Sequence, residues 1–264
     1  MKIRTIALNT FGSFLRNKVI LLFCSLFACI VLLMMSPLLA YKAQTTAANA
    51  REMQGFILNE VSGVMTLVSA FGSLLAAWAA ADSLSSEMKS GTILAVMARP
   101  LRRLEFLTGK YLAVLMLMLV YVFAMLGVML LLAWLGGQRY HTALWTMLVY
   151  PMVRYAIWAA LAMLLATLIH PVFVMGIVIL LATLVQVLGN SSSHIPAFLR
   201  ISGHLLLPMT NLLSEDRFLV ITRASLKPFP WTSHLTALAY GVDYALVCFL
   251  LAAFLFQYRS LTRD

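Results

Sequence analysis

Residues 155–189 read YAIWAALAMLLATLIHPVFVMGIVILLATLVQVLG, and the run free of Lys, Arg, Asp and Glu continues from Tyr155 to Leu199, 45 residues in all. One straight helix of that length would reach about 67 Å at 1.5 Å per residue. That is more than twice the ~30 Å hydrocarbon core of a bilayer. His170-Pro171 lies near the middle of the usable stretch. Proline lacks the N–H donor and disfavours helix at the residue before it. The stretch therefore divides into two membrane-crossing helices, about 152–169 and 172–189. Asn190-Ser191-Ser192-Ser193 then marks a loop.

The same apolar character recurs on both sides. Further spans fall at about 19–41, 61–81, 111–135 and 235–257, making six. The first charge-free run, Val19–Ala40, is 22 residues long. A signal-peptide apolar region is roughly 7–15 residues and starts closer to the N-terminus, so this run is a retained helix. Composition agrees: 62% of residues are hydrophobic and 11% charged, against about 25% charged in soluble domains. Such a chain would expose large apolar patches in water, and it is too apolar for intrinsic disorder. The fold class is an all-α membrane protein, one transmembrane domain over residues 1–264.

The net charge of +10 reflects cations flanking spans before it reflects nucleic acid, which is not an expected partner. With the N-terminus inside, residues 1–18, the loop 82–110 and the tail hold 11 cations in about 54 residues; about 80 outside residues hold the other eight. The positive-inside rule then places both termini in the cytoplasm. Residues 3–15 carry Ile3, Ile6, Ala7, Phe11, Phe14 and Leu15 on one helical face, and Lys2, Thr5, Asn9, Ser13 and Arg16 fall towards the other. That pattern describes an amphipathic helix in the membrane interface. Residues 142–150 form an interfacial turn of helix ending at Pro151. The outer segment 190–234 turns apolar from Ile195 to Leu207, too short to span, which fits re-entrant or surface helices between spans five and six.

Catalytic constellations are missing. There is no Walker A loop, GxGxxG, HExxH or CxxC pair. The five histidines are scattered, and Cys24, Cys29 and Cys248 lie in apolar runs as small hydrophobes. No internal repeat supports an inverted-repeat carrier. Asp243, about eight residues into span six, is a candidate pathway or buried polar group that should face the bundle. With span four opening near Met152, Arg154 snorkels to the outer interface. With a start at Thr142 it is buried, and Asp243 becomes its candidate partner.

The most informative polar stretch is the cytoplasmic loop 82–110. Ser/Glu spacing up to Glu87 suits a helix start. Ile93, Val96 and Met97 line one side of a short helix, which Pro100 ends. A helix that short is unstable alone in water, so its apolar stripe fits a groove on a partner.

Glu87-x₃-Gly91-Thr92, followed by Arg99-Pro100-x-Arg102 and by Gly109-Lys110 opening the next span, resembles the permease subunit of type-2 ATP-binding-cassette (ABC) exporters. The resemblance covers nearly the whole chain. The ending Arg259-Ser-Leu-Thr-Arg263-Asp264 is a degraded form of the family's terminal pattern. The resemblance implies a permease without a nucleotide-binding domain, paired with a separate ATPase subunit and with a second copy of itself or a related permease. It implies that the chain binds no cofactor, ATP and Mg residing on the partner. Glu87, Gly91 and Thr92 match the family's coupling helix; Arg99, Pro100 and Arg102 match the segment leading back to the bilayer. The expected location is a bacterial-type cytoplasmic (inner) membrane. Two alternatives stay open: a permease-like subunit that transmits force or signals or supports maturation of an extracytoplasmic protein, and a secondary carrier or intramembrane enzyme.

Overall fold

The computed structural model describes residues 2–18, 20, 22–23, 25–29, 69–85, 103–136, 144–190 and 231–258. All regular structure among them is α-helix. Helix α1 is Lys2–Arg16, α2 lies within 18–29, and α3 covers 69–85. Then follow α4 (Arg103–Gly136), α5 (Leu144–Leu168), α6 (Pro171–Asn190) and α7 (Trp231–Tyr258). Three stretches among these residues are long and apolar enough to cross a bilayer: Arg103–Gly127, Leu148–Leu168 and Leu238–Tyr258. Most of the expected first span, the start of the second, and residues 191–230 lie outside the described residues.

Several helices exceed their expected bounds. α3 passes Ala81: Leu84 is fully buried there, and the Ser83 and Ser85 hydroxyls are satisfied by donating to the carbonyls of Ala80 and Ala81, at 2.8 and 2.7 Å. α5 begins at Leu144 and runs through Pro151, which was expected to end a separate turn. An interior proline costs about 3 kcal/mol in water. In an apolar surrounding, an opened backbone would leave several groups unpaired at greater cost, so the helix continues. α5 ends at Leu168, and Pro171 opens α6, where its missing N–H costs nothing.

Small residues set the packing. Ala76, Ala77, Ala79 and Ala80 of α3, Ala159, Ala160 and Ala162 of α5, and Ala252 and Ala253 of α7 are buried. They let backbones approach closely, which matters where no hydrophobic driving force separates protein from lipid. A Cβ on Gly72 would run into the Tyr155 hydroxyl and come within 2.6 Å of Tyr121 Cε1, so only glycine fits there. Aromatic pairs lock α2 onto its neighbours: Phe23 against Trp78 and Phe27 against Tyr121, with centroids 6.3 and 5.3 Å apart.

Candidate functional site

Glu87, Gly91, Thr92, Ile93, Val96, Met97, Arg99, Pro100 and Arg102 lie outside the described residues. The two roots of their loop are described, and they are well anchored. At the outgoing root, the last described turn of α3 is held by fully buried Leu84, with the Ser83 and Ser85 hydroxyls satisfied by carbonyls of their own helix. At the returning root, Arg103 Nη1 donates to the carbonyl oxygens of Gln257 and Phe256, at 2.8 and 3.2 Å.

The last carbonyls of a helix have no intrahelical donor, and a cation there also meets the negative end of the helix dipole. α7 has no basic residue in its own last turn. Arg103, 154 positions earlier in the chain, supplies the cap. Below it the Phe106 and Phe256 rings stack, 6.2 Å between centroids and 17° between planes. Further along, Tyr111 meets Phe249 at 4.9 Å and donates its hydroxyl to the Ala156 carbonyl of α5 at 3.0 Å. The root of the loop is thus tied to α5 and α7 at once.

α1 crosses the same place. A Cβ on Gly109 would stand 2.9 Å from Ile6 Cβ and 3.3 Å from the Ile3 carbonyl oxygen. Glycine at this position lets α1 lie on α4. Ala7, Thr10 and Phe14 are buried on that side, whereas Leu15, expected on the apolar face, is exposed. In the sequence Gly109-Lys110 stands out as a pattern without this reason, and the Arg103 cap leaves one trace, a helix ending in Phe-Gln-Tyr with no cation in its last turn.

The two candidate polar residues within the spans lie apart. Arg154 is half-buried and donates Nη1 to the Ser69 hydroxyl of α3 at 2.6 Å. It turns inward instead of snorkelling because α5 starts at Leu144, so Arg154 sits well inside the helix. Asp243 is exposed, not buried in the bundle. α7 packs through Gly241, Ala245, Cys248, Ala252 and Phe256, and Asp243 points the opposite way. No pairing of Arg154 with Asp243 is present among the described residues. Nor does any group of three or more His, Cys, Asp or Glu come together among them.

Among the described residues all regular structure is helical and three helices are long and apolar enough to cross a bilayer, which marks a multi-pass membrane protein. The model of the ABC-2 family transporter proteins matches residues 4–261, and the chain belongs to that family. It is accordingly a membrane permease subunit of the ABC transporter class, and the family's permeases normally work with an ATPase subunit. No curated protein matches the chain.

Proposed function

We propose that this chain is the permease half of an ATP-driven exporter in a bacterial-type cytoplasmic membrane. Both termini and the loop 82–110 face the cytoplasm, and 190–234 faces outward. α1 lies in the cytoplasmic interface as an amphipathic helix. Two permeases, identical or related, enclose the pathway. The observation that carries this reading is the family match over residues 4–261, which takes in the whole loop.

The loop is the coupling element. Ile93, Val96 and Met97 enter a groove of the ATPase, Glu87 caps the helix or meets a basic group at the groove's rim, and Gly91, next to Thr92 in the same helix, permits close backbone approach. Arg99, Pro100 and Arg102 return the chain to the bilayer. ATP and Mg are bound by the partner, and this chain holds no cofactor. Burying two or three such side chains gains several kcal/mol at roughly 25 cal/mol per Å², before association costs. The Arg103 cap supports the mechanism: a push on a loop rooted in this way moves α4 and α7 together.

Replacing Ile93 and Val96 together by Asp is expected to strip the ATPase from the purified complex while the spans stay folded. Glu87→Ala is expected to retain the ATPase and weaken the coupling of hydrolysis to transport. Co-purification and ATPase activity in liposomes measure both. A stoichiometric, normally active ATPase on the double Asp variant would remove the coupling-helix assignment.

A further inference from the structure

A cavity of about 640 Å³ opens between α1, the end of α3 and the first turns of α4. That is the size of a small-molecule site. Asn9, Ser13 and Arg16 line it from successive turns of α1, Asp82 and Ser83 from α3, and Lys110 from α4. Cations outnumber carboxylates two to one; the Asn9 amide and the Ser13 hydroxyl can donate as well, whereas the Ser83 hydroxyl is already given to the Ala80 carbonyl. Lys110 is only 4% exposed although it borders the cavity, so its charge is little screened by solvent. Arg16 supplies a planar fork of donors matched to phosphate oxygens.

Leu8 lines the same cavity and is 46% exposed. Leu8 and Arg16 stand about two turns apart on α1, roughly 12 Å at 1.5 Å per residue, with Lys110 on the neighbouring α4; an apolar side chain and two cations around one cavity match the acyl and phosphate parts of a lipid together. We propose that this cavity binds a phosphate-bearing anion, delivered as the headgroup of an anionic phospholipid of the cytoplasmic leaflet. The inference rests on the topology proposed above, which sets this end of α4 at the cytoplasmic surface.

The test is native mass spectrometry of the full chain after exchange into bicelles of equal phosphatidylcholine and phosphatidylglycerol. The chain is expected to retain phosphatidylglycerol in preference to phosphatidylcholine. Arg16→Gln and Asn9→Asp should each lower that retention about ten-fold, the scale of one lost charge-assisted hydrogen bond. Both positions are exposed on α1, so neither variant endangers the fold. Arg4→Gln, an exposed cation of α1 outside the cavity, should change it less than two-fold.

Inorganic phosphate in the buffer separates the sources of the anion. Displacement of the lipid with the same residue dependence assigns the site to soluble phosphate, and retention assigns it to the headgroup. Equal retention of the two lipids, or equal losses in Arg4→Gln and Arg16→Gln, would overturn the proposal. No ATPase enters the measurement, so its failure is distinct from failure of the exporter reading.

Discussion

Arg103 does more than flank a span. Counted among the cations of the loop, it is a positive-inside marker; in the folded chain it closes the carbonyl end of α7. Arg103→Met should remove both hydrogen bonds and leave those carbonyls without their cap. Charge-assisted bonds contribute about 1.5–3 kcal/mol each when buried; here partial exposure reduces the sum to about 1–2 kcal/mol. Thermal unfolding in detergent, followed by tryptophan fluorescence, should show that loss, with Arg103→Lys intermediate because an ammonium lacks the fork. Unchanged unfolding would mean that the cap adds nothing to stability. At this scale the sequence was partly legible. Gly109 stood out as part of a pattern, yet its reason, the backbone of α1 lying 3.3 Å from where its Cβ would be, depends on a helix more than ninety residues away in the chain order of packing choices no local rule encodes. Arg154 had two readings in the sequence, snorkelling or buried, because its environment follows from where α5 begins; Pro151 hid that start, and a helix from Leu144 selects the inward one, though without Asp243 as partner.

Among the helices, hydropathy located apolar segments well and said little about how they face. α4 and α5 are apolar nearly all round, so no polar stripe marks an outside. The small residues carry that information instead: Gly241, Ala245, Cys248 and Ala252 recur at three- and four-residue steps along α7 and form its packed side. Asp243 lies opposite. A carboxylate facing lipid within a span costs on the order of 3 kcal/mol, so in the proposed pair of permeases this side of α7 is expected to meet the second subunit. Asp243→Leu is then expected to lower the dimer share several-fold in detergent cross-linking, with insertion and helix content unchanged. Asp243→Asn should do less, since it keeps a hydrogen-bonding group. An undiminished dimer together with a higher unfolding temperature would place the outer side of α7 against lipid.

For the molecule as a whole, charge density gives a topology that labelling can check. In sealed cells, with native cysteines replaced, Ser192→Cys should react with an impermeant thiol reagent and Ser86→Cys should not. Labelling of Ser86→Cys from outside would invert the orientation. The overall class was legible because burial in a bilayer demands long apolar runs, whereas the tie between the loop root and α7 was not, since it joins residues 154 positions apart. That separation bears on biogenesis. Chains emerge from the ribosome N-terminus first, so α1, α3 and α4 are synthesised long before the carbonyls that Arg103 caps. The proposed docking loop would therefore exist for much of translation on an unfinished mount. A permease cut short before Trp231 would display that loop without the fastening that links it to α7, held on that side by Tyr111 on the Ala156 carbonyl of α5, and an ATPase recruited to the proposed coupling helix would push on a lever with one of those two ties missing.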